Sequence, residues 1–510
     1  MTARAVERMI VIGGVGAFAL LLLWLAPSRL ILTGDDFGYM DSVAGTIRAR
    51  HWVASDWLEP LNLPLPMAGA GLFSVTGNFY ASTLGLNLLL ALASLVLLEL
   101  NLRFALPAAA VRVPVVFAAL LSPVWLHKTV EYTGVPLGLA ALLAAWLCWR
   151  RGWLAAFFAC VLVAALNRQS SLCLLAWPLV ALVRQGWPLR RPAYALVAGG
   201  LLTVGLTGFV LLNGPSTWAR ELSRATLLAN FPLASLGANL VLAGVVLVGW
   251  RATCGLVQGG SAREVFRRNR TRPWPALAVT IAGAALIWSG RAGILWETPG
   301  LEPYSLVFLL LMTLLAWLHD WEQAPPAEVV VFLAAYGLLV SWRGRWWDYY
   351  LLEPMLVLLM TAPRAPMVPP AAGRRAVVLI ALALCVAALP GFKSRLREAE
   401  DKTVAYERAW RSGQLRLNEL SDAPFGYLGW KLFPLARQRA DAAALPDFLR
   451  FVEGARARFA GGTFTVDRDG GRKSIHPSRE RWALPAGFVG RPLPLDNDEW
   501  RTYLQARPGS

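Results

Sequence analysis

Charged residues are scarce in this sequence: they make up 16% of its 510 residues, while 56% are hydrophobic. An ordinary soluble domain has about 25% charged residues and displays them on its surface. The low charge and the mean hydropathy of +0.48 therefore exclude a typical soluble globular protein. They predict a protein that crosses a membrane several times.

Cysteine, histidine and lysine are also few. The five cysteines lie inside or beside apolar runs, which excludes a disulfide framework and a zinc-binding pattern. The sequence has no Walker A loop, dinucleotide fingerprint or H-E-x-x-H motif, so it lends no support to ATP-driven transport or zinc proteolysis. Arginine greatly outnumbers lysine and alanine is abundant, which is typical of a bacterial protein encoded by a GC-rich genome.

The net charge of +17 comes from arginines in the short links between apolar runs. These arginines do not form a basic stripe with interleaved aromatic residues, so the sequence does not predict a nucleic-acid partner. Short basic links between membrane spans stay on the cytoplasmic side, and the arginines therefore indicate topology.

Thirteen apolar runs are long enough to cross, or nearly cross, about 30 Å of hydrocarbon. They cover residues 9–26, 79–100, 105–126, 134–149, 153–166, 171–183, 193–212, 233–250, 275–290, 303–318, 327–342, 350–362 and 376–390. Arg4 and Arg8 place the N-terminus in the cytoplasm, and the later arginine-rich links alternate consistently with that start. The prediction is an α-helical polytopic protein of the bacterial cytoplasmic (inner) membrane with about thirteen transmembrane helices.

The predicted chain has two parts that meet at residue 390. Residues 1–390 form the transmembrane domain, and residues 27–78 within it form a long first outer loop. Residues 391–510 carry charges throughout, open with a helical pattern and continue with stretches punctuated by Gly and Pro. An odd number of spans places this second part outside, where we expect a small extracytoplasmic α/β domain.

The segment LTGDDFGYMDS follows the first apolar run and holds three carboxylates, Asp35, Asp36 and Asp41. Adjacent carboxylates repel each other, which raises one pKa and suits a general base, or a divalent cation when both are ionised. A second interpretation is structural, because Gly34 favours a turn and an aspartate is a good cap for a helix over 37–50. Both interpretations stay open at this point.

Three later outer links hold further candidates. HKTVEYTG offers an acidic side chain beside two basic ones, while NRQSS and SWRGRWWDYYLLEP place arginines at the membrane interface. These arginines are either phosphate ligands or interfacial anchors within an aromatic belt. The phosphate-binding candidates are His127, Lys128, Arg168, Arg343 and Arg345, and the candidate for holding a metal or orienting an acceptor is Glu131.

The chain resembles the GT-C superfamily of membrane glycosyltransferases, which includes lipid A aminoarabinose transferases, protein mannosyltransferases and arabinosyltransferases. The resemblance rests on GDDFGY after the first span and, more weakly, on HKTVEYTG, together with the overall arrangement of spans and outer segments. It implies a GT-C-like fold and inverting transfer of a sugar from a polyprenyl-phosphate donor. The implied partners are that donor, membrane lipids and a glycan, lipid or protein acceptor.

The resemblance also implies roles for single residues. Asp35 takes the position of the leading catalytic acid with Asp36 as its partner, and Glu131 matches the acidic position of the second outer loop. Family members often have Asp-Glu where this chain has Asp-Asp, so either aspartate fits the role of the base. No cofactor is certain. A Mg²⁺ or Mn²⁺ ion at Asp35, Asp36 and Glu131 stays open, with Asp41 as a further orienting residue.

Other functions fit the composition as well. A lipid or polysaccharide transporter or flippase keeps its key charges near the bilayer midplane, where Arg112 is the main example in this chain. An O-antigen ligase or polymerase uses the same class of donor but is expected to have its main outer loop late in the chain. A non-catalytic scaffold protein would tolerate the loss of both aspartates.

Overall fold

A computed structural model shows a mainly helical protein. It describes residues 3–26, 36–53, 62–106, 109–184, 191–213, 233–258, 262–288, 294–295, 305–322, 325–342, 346–361, 372–415, 423, 426–427, 430–431, 456–460, 463–467, 481–483 and 492–506. Three candidate site residues, Asp35, Arg343 and Arg345, lie outside the described residues.

A helix lies at each of the thirteen predicted apolar runs. The helices up to residue 213 are α1 (Ala3–Leu25), α2 (Asp36–Ala49), α3 (Pro64–Thr76), α4 (Leu86–Ala105), α5 (Ala109–Leu120), α6 (Pro123–Val130), α7 (Val135–Arg151), α8 (Leu154–Asn167), α9 (Ala176–Arg184) and α10 (Arg191–Asn213). A π-helical turn, Ala81–Gly85, precedes α4, and a 3₁₀ helix, Gln169–Leu175, precedes α9.

The second half of the chain continues the helical pattern and adds short strands. Its helices are α11 (Leu233–Gln258), α12 (Ala262–Thr271), α13 (Trp274–Trp288), α14 (Ser305–Leu315), α15 (Ala327–Trp342), α16 (Leu352–Thr361), α17 (Ala372–Arg411) and α18 (Asn497–Gln505). The 3₁₀ helix Ala316–Leu318 follows α14, and the 3₁₀ helix Asp348–Leu351 precedes α16. Strands β1 (Ile294–Leu295) and β2 (Trp346–Trp347) pair in parallel, while β3 (Arg456–Ala460), β4 (Thr463–Asp467) and β5 (Arg481–Ala483) form an antiparallel sheet.

Two helices in the described part of the chain are long and apolar enough to cross a membrane, Ala81–Ala105 and Leu236–Val257. The bent pair Val111–Leu120 and Pro123–Val130 makes a third when the two helices are taken as one broken span. These helices support association with a membrane. Thirteen crossings and a separate C-terminal α/β domain stay predictions.

The predicted span over 105–126 is not a single helix. Its two pieces, α5 and α6, bend by 56° where they meet. Pro123 has no backbone N–H and therefore fits the first turn of α6, and the Ser122 hydroxyl accepts a hydrogen bond from the Trp125 backbone N at 3.3 Å. The break follows from this local helix-start signal, which overrides the continuous apolar pattern.

The predicted domain boundary at residue 390 lies inside a helix. α17 has 40 residues and continues through Pro390, so the last apolar run and the charged segment after it form one element. The sequence pattern correctly predicted helix on both sides of residue 390. It did not predict that the two segments are continuous, and no linker separates the two predicted domains at this point.

Ion pairs connect segments between helices that the arginine count assigns to the same side of the membrane. On the predicted cytoplasmic side, Arg184 Nη1 lies 3.4 Å from Glu328 Oε2. Arg268 on the same side pairs with Asp320 at 3.4 Å and with Glu322 at 2.8 Å. Each pair joins links to which the arginine count assigns the same side.

Contacts on the predicted outer side also connect segments that are assigned to the same side. Lys393 Nζ donates hydrogen bonds of 3.1 Å to the carbonyl oxygens of Leu25 and Ala26. The β1–β2 pairing brings Ile294 opposite Trp346 and so joins two predicted outer loops. These contacts are consistent with the alternating inner and outer sides that the arginines predict for the segments between helices.

The C-terminal helix α18 packs against the start of the second apolar run, directly after the first outer loop. The Trp500 ring is fully buried and stacks on the Phe79 ring, with 4.0 Å between centroids and an interplanar angle of 19°. Tyr80 donates from its hydroxyl to the Leu495 carbonyl at 3.0 Å and from its backbone N to Asn497 Oδ1 at 3.2 Å. Two parts of the chain more than 400 residues apart therefore share one hydrophobic cluster.

Helix α2 belongs to this cluster as well. Arg48 near its C-terminal end donates from Nη2 to the Ala506 carbonyl at 3.3 Å and lies 5.2 Å from the centroid of the Tyr503 ring. The buried members of this cluster are Phe37, Met40, Val43, Ala44, Leu65, Phe79, Leu84, Tyr132, Tyr427, Trp430, Leu493, Trp500 and Leu504. A second, larger cluster forms the core among the apolar helices.

A buried glutamate ties the C-terminal segments to α17. Glu407 accepts hydrogen bonds from the Tyr427 hydroxyl at 3.0 Å and from the Leu493 backbone N at 3.1 Å. Its carboxylate also pairs with Lys431 at 2.6 Å and with Arg411 at 3.0 Å. Burial lowers the pKa of Lys431, and the negative charge of Glu407 opposes this shift.

We expect Trp500→Ala to loosen the first outer loop. The substitution removes the ring that stacks on Phe79, and emptying a buried tryptophan site costs about 3–5 kcal/mol of unfolding free energy. Hydrogen exchange of the purified protein checks this, with faster exchange expected in the Asp36–Ala49 peptides. The matched control is Trp274→Ala, because the Trp274 side chain is 76% exposed. Unchanged exchange in α2 of the Trp500 variant would contradict this role of α18.

Candidate functional site

Helix α2 covers Asp36–Ala49, one residue earlier than the predicted 37–50, so Asp36 lies in its first turn and not at the cap position before it. Asp36 Oδ1 accepts a hydrogen bond from the Phe37 backbone N at 2.9 Å, and the side chain is fully buried. A carboxylate in the first turn stabilises a helix by its interaction with the helix dipole. Asp41 follows on the same helix and is half-buried. The described part of the acidic segment thus has a structural role, and its catalytic role stays a prediction.

Tyr39 connects α2 to the second outer link. Its ring meets the Tyr132 ring edge-on, with 6.5 Å between centroids. A Cβ atom added at Gly134 would lie 3.0 Å from the Tyr39 hydroxyl and 3.1 Å from the Asn167 side-chain amide. Asn167 Nδ2 donates to the Gly134 carbonyl at 2.7 Å. A larger residue at position 134 would push these groups apart, so the glycine permits the close approach.

His127 and Lys128 occupy the last turn of α6, which corrects the prediction that they lie in a loop. Lys128 Nζ lies 2.6 Å from Glu131 Oε2, and both side chains are buried. Asn87 Nδ2 donates to the Glu131 carbonyl at 2.7 Å. The His127 ring meets the Phe392 ring edge-on at 6.3 Å. Lys128 and Glu131 therefore neutralise each other in a buried pair.

Arg168 forms a buried ion pair that the sequence did not predict. Its Nη1 lies 2.9 Å from Glu353 Oε1, and the two side chains are 10% and 1% exposed. The cost of an arginine at membrane depth indicated that a partner exists. The glutamate inside the apolar stretch LLEPMLVLL carried a matching signal that the sequence interpretation missed. The two residues are 185 positions apart, so the sequence alone does not show which arginine pairs with this glutamate.

Two tyrosines contact the cations of the ion pairs, and Tyr349 contacts both cations. Lys128 Nζ is 4.6 Å from the centroid of the Tyr349 ring, and Arg168 Cζ is 5.5 Å from the same centroid. Arg168 Cζ is also 5.4 Å from the Tyr350 centroid. Both rings are less than 10% exposed, so these tyrosines are part of the site and not of an interfacial belt. Contacts between a cation and an aromatic face add to the stability of such a cluster.

The residues that the structure describes do not fit a metal site. They include no group of three His, Cys, Asp or Glu side chains that could hold an ion. The Glu131 carboxylate pairs with the Lys128 ammonium, which would repel a divalent cation at the same oxygen. A Mg²⁺ or Mn²⁺ site that includes Asp35 stays a prediction.

Arg112, the charge that favours a transporter, has a structural role. Its Nε lies 3.1 Å from Glu99 Oε1, and its Nη1 donates to the Leu106 carbonyl at 2.8 Å. Glu99 also pairs with Arg103 at 2.9 Å. This pairing joins the C-terminal end of α4 to α5 on the predicted cytoplasmic side. It accounts for the arginine without a transport pathway.

The arrangement brings together residues from four separate segments of the chain. Helix α2, the link after α6, the segment around Arg168 and the residues before α16 meet around the two ion pairs. No protein-family model, curated protein or solved structure matches the chain. The cluster has buried cations, buried carboxylates and aromatic faces, the side-chain types that bind polar ligands.

We expect Arg168→Met to lower the free energy of unfolding by about 3–5 kcal/mol, because it leaves the Glu353 carboxylate buried without its cation. The double variant with Glu353→Leu should recover most of this loss. Thermal unfolding in detergent measures the coupling between the two positions. Arg184→Met serves as the control, since the Arg184 side chain is 60% exposed and its pair with Glu328 contributes at most about 1 kcal/mol. Additive losses in the double variant would contradict the coupling.

Proposed function

We propose that this protein is an integral membrane glycosyltransferase of the GT-C type. It transfers a sugar from a polyprenyl-phosphate donor to a glycan, lipid or protein acceptor at the outer face of the bacterial cytoplasmic membrane. The observation that carries the proposal is the position of Asp36. This residue starts a buried helix whose Tyr39 contacts the second outer link, beside the Lys128–Glu131 pair. The donor class comes from the family resemblance.

The proposed chemistry is a single inverting displacement. The acceptor hydroxyl attacks the anomeric carbon, the bond from that carbon to the phosphate oxygen breaks, and the phosphate leaves with the electron pair. Asp36 or its neighbour Asp35 takes the proton of the acceptor hydroxyl as general base. Cationic side chains stabilise the leaving phosphate as its charge develops. Arg343 and Arg345 lie outside the described residues and stay the predicted ligands of this phosphate, because Lys128 pairs with Glu131 just as Arg168 pairs with Glu353.

The proposal extends to the membrane arrangement. It assigns thirteen crossings, a cytoplasmic N-terminus and an extracytoplasmic C-terminal segment. The contacts between links support it, because Arg184, Arg268 and Lys393 each meet links of the same predicted side. The packing of α18 on the first outer loop also supports a common location for these two parts.

We expect Asp36→Asn to reduce sugar transfer by about 10²-fold or more while the protein still folds. Asparagine keeps the side-chain oxygen that accepts from the Phe37 backbone N, so the start of α2 is retained and only the charge is lost. The assay follows transfer of a radiolabelled sugar from polyprenyl phosphate to envelope acceptors in membranes that contain the variant.

The control for this experiment is Asp401→Asn, an equivalent change at an exposed position of α17. Thermal unfolding of each variant in detergent separates lost chemistry from lost structure. Full transfer by Asp35→Asn, Asp36→Asn and the double variant would rule out the catalytic assignment. Flux of a lipid or polysaccharide into sealed vesicles without a covalent product would favour a transporter instead.

The predicted topology has its own test. We expect a Gly470→Cys variant to react with a membrane-impermeant thiol reagent from outside intact cells. The control is Arg267→Cys in α12, which should react only after lysis, because its link is assigned to the cytoplasm. Labelling of position 470 only after lysis would overturn the odd number of spans.

A further inference from the structure

The Arg168–Glu353 pair lies among polar atoms whose hydrogen bonds are incomplete. Within the described part of the chain, Glu353 Oε2, Asn167 Oδ1 and Ser171 Oγ are buried and have no hydrogen-bond partner. All three residues are at most 2% exposed. Buried polar atoms are nearly always hydrogen-bonded in native proteins, so an unpaired group of this kind indicates a missing ligand or water.

The side chains of Arg168, Asn167 and Glu353 converge on one point of α7. A Cβ atom added at Gly138 would lie 3.4 Å from Arg168 Cδ, 3.7 Å from Asn167 Nδ2 and 3.9 Å from Glu353 Oε1. The Arg168 side chain keeps 10% of its surface exposed, whereas that of Glu353 keeps 1%. Arg168 is therefore the more accessible member of the pair.

The charges of the cluster select the kind of ligand. Glu353 already neutralises Arg168, and a phosphate bound to the guanidinium would lie close to the Glu353 carboxylate. Two anions at this distance in a buried site repel each other strongly. The sequence-based assignment of Arg168 to the donor phosphate is therefore disfavoured.

The unpaired atoms point to a ligand that donates hydrogen bonds. The carboxylate oxygen of Glu353 and the amide oxygen of Asn167 are acceptors, and two hydroxyl groups of one ligand, each donating one hydrogen bond, satisfy them without adding charge. The Tyr349 and Tyr350 rings beside Arg168 provide flat apolar surfaces. Charged or amide side chains that bind hydroxyls next to aromatic faces suit a sugar ring, which has polar edges and apolar faces.

We propose that the cluster of Arg168, Glu353 and Asn167 binds the hydroxyl groups of the donor's sugar, and not its phosphate. Glu353 and Asn167 accept hydrogen bonds from the sugar, and Arg168 orients the Glu353 carboxylate through its ion pair. Glu353 is thus a residue that determines sugar recognition. The inference rests on the proposed function for the identity of the donor, while the binding step itself needs no transfer.

Binding of two lipids to the full-length protein in nanodiscs tests the inference. The probes are decaprenyl phosphate alone and decaprenyl phosphate carrying a hexose or a pentose. We expect the parent protein to bind at least one sugar-bearing lipid more tightly than the bare lipid. Glu353→Gln should weaken that binding about tenfold or more and leave binding of the bare lipid unchanged. Tighter binding of both lipids by this variant would place the phosphate here and overturn the inference.

A second variant keeps the test decisive if Glu353→Gln unfolds. Gly138→Ala places a methyl group at ordinary contact distance from all three side chains, so the fold should tolerate it. We expect it to weaken binding of the sugar-bearing lipid only. The matched control is Gly200→Ala in α10, where an added Cβ atom meets nothing within 4 Å.

The outcomes separate this inference from the proposed function. Selective binding of a sugar-bearing lipid without any transfer would refute the enzyme and keep the sugar site. If the parent protein binds none of the sugar-bearing lipids more tightly than the bare lipid, the unpaired atoms hold water only, and the inference is wrong.

Discussion

The ion pair between Arg168 and Glu353 is the interaction on which the candidate site depends. Either charge alone would be costly in an apolar, helical interior, because a buried ion loses its hydration. The pair removes that cost only when the segment after α8 and the start of α16 lie side by side. The positions of Tyr349 and Tyr350, which contact Arg168, follow from the same contact.

From this pair a continuous set of contacts leads to the acidic segment of the first outer loop. Asn167 bonds the Gly134 carbonyl, and Gly134 lets Tyr39 approach closely enough to contact the same link. Tyr39 lies one turn along α2 from Asp36, which starts that helix. The structure thus gives a physical connection between a loop near the N-terminus and the residues before α16. This connection is the basis for assigning both to one functional site.

The C-terminal segment holds the other side of α2 and its neighbours. Glu407 gathers Tyr427, Lys431 and the backbone of Leu493 around α17. Trp500 on α18 stacks on Phe79, the residue that follows the first outer loop. Because α17 also continues the last apolar run, one continuous helix connects that run to the contacts of Glu407. Within the described part of the first loop, α2 therefore contacts the segment that follows α18 through Arg48 and shares a hydrophobic cluster with Trp500 and Leu504.

Local features of the chain were predictable because they depend on short-range physics. Apolar runs marked the positions of the helices, the segment GDDFGY marked the beginning of α2 to within one residue, and the Arg184–Glu328 pair joins links that arginine placement assigns to the same side. The bend before α6 also has a local signal in Ser122 and Pro123, although the longer apolar pattern concealed it. The only local signal for the role of Glu353 was the presence of a charged residue, which is costly to bury, in an apolar stretch.

The sequence by itself determined a helical protein with apolar helices, an acidic segment after the first of them and charges that need partners. Only the tertiary structure decided that Arg168 meets Glu353, that Lys128 meets Glu131 on the end of a helix, and that Trp500 of α18 stacks on Phe79. The physical reason is that helix formation depends on neighbouring residues. Ion pairing and ring stacking depend on which distant helices pack together, and a chain with many similar apolar helices does not encode that choice in any single segment.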